Sequence, residues 1–474
     1  MSVSVPYGGS PVQLLVVTTS HGAALLAAAA DAGLLGPARE RLPVVASAAP
    51  VPEAVPAPAA PPGAAPPLAR FGRVLSWDAV VRPLHPGGWV PRADDAPLWE
   101  RQLRALWGLG GAGVELVVER VESAPARALA RIFPDAPLTV LAPGLSAYGP
   151  TPGRLDPLTG TRVRRVLHPD VLPGLRPLLL AEFGTAARAV PATALRAVAA
   201  EWARELEPPV PEAGGRAPGE DAFEGCALLL GQDPAAPGAL PPAEEGRLYG
   251  RMLRRVRELG HRTVVWTPHP AAPAHRVRGL AALAGELGVT LGVPGGVPGG
   301  APPAEALYER LRPALVAGCA SGALLTAGAL HGLPAARLGT GALLEGMVPY
   351  ENADRVPAVL VHELLPDLAA GEPAGVVPPG PGETAELAEL AELAGLVRAV
   401  AYCMWPRVRP ELRGEAERFL AACSRDRLRR HFARRRLAAL ALPGAVPASL
   451  APLARSTTVR RTARRARAVV RAVR

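Results

Sequence analysis

Short apolar strands alternate with helices through most of the chain, and this alternation constrains the fold more than any other feature. The stretch QLLVVTTSHGAALLAAAADAGLL (13–35) contains a strand, a turn of small residues and a helix, and the strand LPVVASA follows it. A strand, a helix and a strand at this spacing predict the start of a parallel α/β sheet. The first series of elements ends at residue 206, and its last part, 186–206, is predicted to be helical.

A proline- and glycine-rich segment, 208–221, separates this series from a second one. The second series runs from the strand CALLLGQ (226–232) to the strand ALVAGCA and the helix SGALLTAGALHG (321–332). Two such series predict two Rossmann-like domains that face a central cleft, which is the outline of the GT-B fold. We expect an N-terminal domain over 1–207, a linker over 208–221, a second domain over 222–385, C-terminal helices over 386–442 and a basic tail over 443–474.

Positive charge is concentrated at the C-terminal end of the sequence. Residues 425–474 contain fifteen arginines and one acidic residue, whereas the formal charge of the whole chain is +10. Such a segment favours anionic partners, here an anionic membrane surface or a polyanionic glycan. The alternative is an arginine-rich, solvated end of the chain without a specific partner. It lacks the interleaved aromatic residues of single-strand binders and any DNA-reading motif, so we do not expect nucleic acid as a partner.

Cysteine spacing and hydropathy limit the class of protein further. The four cysteines lie far apart and form no CxxC pair, so neither zinc nor a disulfide framework is expected. The start, MSVSVPYGGS, lacks the basic region of a signal peptide, and no segment offers the ~20 apolar residues of a membrane span. Dinucleotide and P-loop signatures are also missing. We expect a cytoplasmic protein that at most visits the inner membrane surface.

The stretch TVVWTPHPAAPAHR (263–276) holds a histidine between two prolines at the end of a predicted strand. His269 is therefore either part of a turn or a placed catalytic group. Gly231 and Gln232 follow the first strand of the second series. Parallel sheets bind nucleotides at this end of their strands, so these residues either contact a nucleotide or form an ordinary turn. Ser20, His21 and Gly22 occupy the matching place in the first series.

Several long strings resemble the bacterial alpha-2,8-polysialyltransferase family between roughly residues 12 and 440. They include PARALARIFPDAPLTVLAPGLSAYGPT, AEEGRLYGRMLRRVRELGHRTVVWTPHPAAPA and LRPALVAGCASGALLTAGALHGLPAARLGT. The resemblance implies a GT-B fold with an acceptor-side first domain and a donor-side second domain. It also implies CMP-sialic acid as donor, no metal or other cofactor, and inverting transfer to a hydroxyl group of a glycan or sialoside.

Two motifs of this family match residues of the second series. His269 and Pro270 match the His-Pro motif, whose histidine would donate to the leaving phosphate. Ser321 stands where the family has Ser-Thr or Ser-Ser, but Gly322 follows it. At the start of a helix, Ser321 would bind the phosphate or serve as an ordinary N-cap. Gly231 and Gln232 are further donor-side candidates.

The family's third motif consists of two acidic residues and a glycine and supplies the base. This sequence has the glycine but not the acidic residues. Ala142 and Pro143 precede Gly144, and neither can accept a proton, although the Tyr-Gly-Pro-Thr that follows is present (148–151). Either a carboxylate such as Asp156 substitutes, or the acceptor reaction is slow, or the protein is a catalytically degenerate relative that binds a nucleotide sugar or a glycan. We expect His331, on the helix after Ser321, to serve packing, and the residues around His168 do not resemble the family's His-Pro motif although Pro169 follows it.

Overall fold

The computed structural model describes residues 9–47, 65–211, 222–231, 242–268, 274–294, 302–371, 375 and 384–445 of the chain. His269, Pro270 and Gln232 lie outside these ranges, as do most of the 208–221 linker and residues 446–474 of the basic tail. Within the described ranges, no helix combines the length and the apolar character that crossing a bilayer requires.

The first half of the chain folds into a seven-stranded, wholly parallel sheet with the order β3-β2-β1-β4-β5-β6-β7. The strand order reverses between β1 and β4. The strands are β1 Val12–Val17, β2 Glu40–Val45, β3 Leu75–Ser76, β4 Val114–Val118, β5 Leu138–Leu141, β6 Val163–Pro169 and β7 Ala186–Val190. The helices are α1 Ser20–Asp31, α2 Ala65–Ala69, α3 Trp77–Val81, α4 Ala96–Trp107, α5 Ala126–Ile132, α6 Pro157–Gly160 and α7 Ala192–Glu205.

The second half forms a sheet with the order β13-β12-β9-β10-β11-β8, in which only the edge strand β8 is antiparallel. The order reverses between β9 and β12. The strands are β8 Val210–Pro211, β9 Ala227–Leu230, β10 Thr263–Thr267, β11 Thr290–Val293, β12 Leu315–Gly318 and β13 Ala335–Arg337. The helices are α8 Pro242–Glu258, α9 Ala274–Glu286, α10 Ala304–Leu311, α11 Ala323–His331, α12 Thr340–Gly346 and α13 Arg355–Leu364.

Four further helices complete the described C-terminal part: α14 Thr384–Met404, α15 Arg413–Ala422, α16 Arg425–His431 and α17 Arg434–Ala439. Val397 and Tyr402 of α14 belong to the apolar core of the second half. Between α14 and α15, the guanidinium of Arg409 donates a 3.2 Å hydrogen bond to the carbonyl of Leu178 in the first half. The C-terminal segment therefore contacts both halves.

Two local predictions differ from the structure. Residues 186–190 form β7 rather than helix. This strand lies at the edge of the sheet and is exposed except at Val190, so backbone pairing with β6 holds it extended while its side chains show no apolar pattern. The predicted linker begins with β8, which joins the second sheet.

Candidate functional site

The second sheet brings two of the sequence-predicted residues to one place. Gly231 directly follows β9, and Ser321 lies three residues beyond the end of β12, the neighbouring strand. Parallel sheets bind ligands outside the carboxyl ends of their strands, where the strand order reverses. Gly231 and Ser321 therefore flank the reversal point of the second sheet.

Strand β10 carries the chain towards the same place. Thr267, its last residue, pairs with Leu230 of β9, and the Thr267 carbonyl accepts a 2.9 Å hydrogen bond from the Gly231 amide. His269 comes two residues after Thr267 in the sequence, and both His269 and Pro270 lie outside the described residues, as does Gln232. The catalytic role of His269 thus remains a prediction that rests on the sequence.

Ser321 and Gly322 form the start of helix α11. The Ser321 hydroxyl accepts a 3.3 Å hydrogen bond from the amide of Ala323, while Gly322 occupies the N-cap position without a side-chain hydrogen bond. The amide groups of a first helical turn and the helix dipole favour an anion such as phosphate at this point. The Ser321 hydroxyl thus accepts a hydrogen bond from the first turn of α11. It also lies at the N-terminal end of this helix, where a phosphate group would be favoured.

Packing accounts for the glycine at position 322. A β-carbon added there would lie 3.2 Å from Cγ of Leu145, which belongs to the loop after β5 in the first half. A serine or threonine at 322 would therefore require Leu145 to shift. The loop that contains Pro143 and Gly144 thus leads to a residue, Leu145, that packs against the start of helix α11 in the second half.

The reversal point of the first sheet, between β1 and β4, is filled by the protein itself. The Glu119 side chain follows β4, is only 6% exposed, and accepts hydrogen bonds from the backbone amides and the hydroxyl groups of both Thr18 and Thr19. A β-carbon added to Gly22, in the first turn of α1, would lie 1.5 Å from Oε1 of Glu119. A protein carboxylate therefore occupies the position where a phosphate would bind. The sequence analysis did not single out Glu119, because an acidic residue near the end of a strand gives no sign of a contact to Thr18 and Thr19.

The two halves meet in a small, mostly apolar cavity of about 50 Å³ lined by Pro143, Gly144, His21 and Glu305 among others. His21 Nε2 lies 3.6 Å from Oε2 of Glu305, so a histidine of α1 faces a carboxylate of α10 across the cleft. The other oxygen of Glu305 accepts a 2.7 Å hydrogen bond from the Thr326 hydroxyl. Beside the Pro143 loop, the described residues thus offer a histidine and carboxylate pair.

Asp156 lies in a different pocket from Pro143. Its carboxylate caps α6, where it accepts hydrogen bonds of 3.0 Å from both the amide and the hydroxyl of Thr159. The pocket holds about 830 Å³ and lies wholly in the first half. Burial raises the pKa of Glu122, which lines the same pocket. Four arginines also line it: Arg127, Arg131, Arg154 and Arg162.

His331, His168 and the Tyr-Gly-Pro-Thr stretch have structural partners. His331 Nδ1 lies 2.9 Å from a carboxylate oxygen of Glu309, and burial lowers the pKa of His331. The buried ring of His168 lies 3.0 Å from the carbonyl oxygen of Pro169. Tyr148 and Thr151 are fully buried and accept hydrogen bonds from the amides of Leu172 and Leu180, respectively. These contacts position the cleft loop rather than present groups to a ligand.

No family model matches the chain, and no curated protein matches it either. Among solved structures, a putative UDP-N-acetylglucosamine 2-epimerase from Listeria monocytogenes aligns at 12% identity over 84% of this chain and 98% of its own, with a TM-score of 0.39. TcCGT1 in complex with UDP aligns at 10% identity over 87% and 94%, with a TM-score of 0.41. Acinetobacter baumannii MurG aligns at 12% identity over 74% and 83%, with a TM-score of 0.35. These likenesses are too remote to assign a family or an activity.

The class of fold follows from the two sheets and their arrangement. One sheet is wholly parallel and the other is parallel except for its edge strand β8, and each has a central reversal of strand order. The two sheets face each other across a cleft, and C-terminal helices contact both halves. This is the GT-B architecture, with a helical region at its C-terminal end.

Proposed function

We propose that the chain is a GT-B glycosyltransferase that binds a nucleotide-activated sugar at the reversal point of its second sheet. One observation carries the proposal: the two reversal points differ, because Glu119 fills the first while Gly231 and Ser321 flank the second. The resemblance of the sequence supports CMP-sialic acid as the donor and a hydroxyl group of a glycan or sialoside as the acceptor.

The proposed reaction breaks the bond between the anomeric carbon of the sugar and a phosphate oxygen of CMP. The electron pair remains on that oxygen, so a hydrogen-bond donor beside it lowers the barrier. His269 would donate to this oxygen, and Ser321 with the first amides of α11 would hold the phosphate. An imidazole is suited to the first role because it titrates near neutral pH.

The acceptor hydroxyl must lose a proton as its oxygen bonds to the anomeric carbon. Since Ala142 and Pro143 carry no base, we propose that His21 takes this proton. Glu305 faces Nε2 of His21 at 3.6 Å, and a carboxylate in this position orients the ring. The basic pocket beside α5 and α6 would suit an anionic acceptor, since Arg127 and Arg154 line it and are exposed.

Removal of the Ser321 hydroxyl is expected to weaken nucleotide binding. A hydrogen bond to a charged group contributes about 1.5–3 kcal/mol, so Ser321→Ala should raise the Kd for CMP about 10- to 100-fold. The measurement is a thermal-shift titration with CMP and CMP-sialic acid, with UDP-sugars and ADP-sugars in parallel, because a ligand that binds only the folded state raises the melting temperature.

Ser76→Ala is the matched control for this experiment. Ser76 caps α3 in the first half, where its hydroxyl accepts a 3.2 Å hydrogen bond from the Ala79 amide, much as Ser321 accepts one from Ala323. Both variants should lose the stability that a hydroxyl contributes at a helix start, about 0.5–2 kcal/mol, but only Ser321→Ala should bind CMP more weakly. If no nucleotide or nucleotide sugar shifts the wild-type melting temperature, the proposed function is wrong.

Loss of the His21 ring is expected to slow sugar transfer while leaving donor binding intact. General base catalysis typically contributes about 10²–10⁴-fold, and His21→Ala should lower kcat within this range. Glu305→Gln should have a smaller effect, because it only orients the ring. His331→Gln serves as the control, since His331 lines the same cavity but is paired with Glu309. Full transfer by His21→Ala would exclude its role as base.

A second candidate is a binding protein that has lost transfer activity. The absence of an acid at Ala142 and Pro143 favours it. It predicts that the wild type binds CMP or a glycan without turnover and that Pro143→Asp restores none. Transfer by the wild type above the rate of buffer controls would rule it out.

A further inference from the structure

Three side chains outside the cleft bring metal-binding atoms together between α13 and α16. They are His362 and Glu363 of α13 and His431, the last residue of α16, and one ligand atom from each lies within 4.8 Å of the other two. The two histidine rings contact each other edge to face, with centroids 5.5 Å apart. Sequence spacing gives no sign of this group, because His431 lies far along the chain from the other two.

Buried nitrogen atoms without partners distinguish this group from an ordinary polar cluster. His362 is 7% exposed, and neither of its ring nitrogens has a hydrogen-bond partner among the described residues. His431 is 1% exposed, and its Nδ1 also lacks a partner there. Burial of a polar atom without a hydrogen bond costs about 1–3 kcal/mol. Two buried imidazoles with three such atoms therefore point to a ligand that these nitrogens would bind.

Two of the neighbouring arginines, Arg337 and Arg427, are paired with carboxylates. Arg337 pairs with Asp367 at 2.8 Å, and Arg427 holds one oxygen of Glu363 at 2.5 Å while it also pairs with Glu392. The other oxygen of Glu363 lies 2.7 Å from Nε2 of His431. Arg427 thus fixes the carboxylate from outside and leaves the second oxygen on the histidine side, as outer partners of metal ligands commonly do.

We propose that His362, Glu363 and His431 form a zinc site that fastens α16 to α13. Two imidazoles and one carboxylate are a ligand set that Zn²⁺ uses in proteins, with metal–ligand distances of about 2.0–2.2 Å. Tetrahedral ligands at these distances lie ~3.3 Å apart, so contraction from at most 4.8 Å requires only small side-chain movements. Binding releases any proton shared by His431 and Glu363 to solvent, because the ligand atoms must be deprotonated.

The site would join two helices, with water as the fourth zinc ligand, and would be independent of the proposed sugar transfer. Helix α16 has only 7 residues, and the arginine-rich tail follows it and α17 in the sequence. A metal between α13 and α16 joins this end of the chain to the second domain. Its stabilisation grows with the concentration of free metal, because the folded state alone presents the three ligands together.

The test is a titration of chelator-treated full-length protein with a zinc salt alone. We expect one equivalent to bind, with release of protons and a melting temperature that rises with zinc concentration. His362→Leu should abolish all three effects. Without zinc this variant should melt at or above the wild-type temperature, because it removes a buried polar group that has no partner among the described residues.

Further variants separate the site from surface binding. His431→Gln should also lose the stoichiometric zinc, and Arg427→Gln should weaken its affinity about 10- to 100-fold. His85→Gln, which changes an exposed histidine of the first half, should bind zinc as the wild type does. The proposal is overturned if the wild type binds less than stoichiometric zinc, or if His362→Leu binds it with wild-type affinity.

Discussion

His269→Ala is expected to reduce the release of CMP from CMP-sialic acid by about 10²–10⁴-fold, the range typical of a positioned proton donor. The ring would no longer stabilise the charge that develops on the phosphate oxygen. The measurement is CMP release with and without acceptor. Because donor breakdown without an acceptor needs no base, His269→Ala should lose both reactions, whereas His21→Ala should lose mainly transfer.

His275→Ala is the matched control, since this second histidine follows His269 in the same segment of the sequence. We expect it to retain near wild-type CMP release. The role assigned to His269 would be refuted by unchanged turnover in His269→Ala. A folded His269→Ala variant that still binds CMP is required for a valid comparison, and the thermal-shift titration provides this check.

Gly22→Ala is expected to cause the largest loss of stability among the glycine substitutions in helices. The new methyl group would lie 1.5 Å from Oε1 of Glu119, and that carboxylate cannot move without breaking its bonds to Thr18 and Thr19. Overpacking costs about 1–3 kcal/mol, and each lost bond to a buried charge costs about as much again. We expect the free energy of unfolding to fall by ~3 kcal/mol or more, measured by urea denaturation.

Gly246→Ala provides the comparison for this measurement. Gly246 lies within α8, and an added β-carbon there would have no atom within 4 Å. Alanine stabilises a helix interior by about 0.5–1 kcal/mol relative to glycine, so this variant should be slightly more stable than the wild type. Equal effects of the two substitutions would contradict the close contact between Gly22 and Glu119.

The strand and helix pattern predicted most of both sheets because buried parallel strands read as short apolar runs. A strand without a continuous apolar run is not predicted from the sequence. Strand β7 contains alanines and an arginine and is held by pairing with β6, and β6 itself carries Arg164 and Arg165 within its apolar run. The extended conformation of such strands depends on pairing with neighbouring strands, which lie far away in the sequence.

The candidate site was predictable only where it follows strand ends. Gly231 comes directly after an apolar strand and Ser321 three residues after the neighbouring one, so the parallel sheet itself brings them together. The Glu119 contact to Thr18 and the pair formed by His21 and Glu305 join residues far apart in the sequence. Neither spacing nor composition reports such contacts, because they arise from the docking of separate elements.

The carboxylate of Glu119 limits the number of nucleotides that one chain is expected to bind. A chain built from two similar parallel sheets has two reversal points of strand order, and symmetry alone would suggest two bound nucleotides. In this protein an internal anion already satisfies the amides at one of them, and the buried carboxylate would repel a second negative charge. Calorimetric titration with CMP should therefore saturate at one molecule per chain, and saturation at two would place a nucleotide where Glu119 now lies.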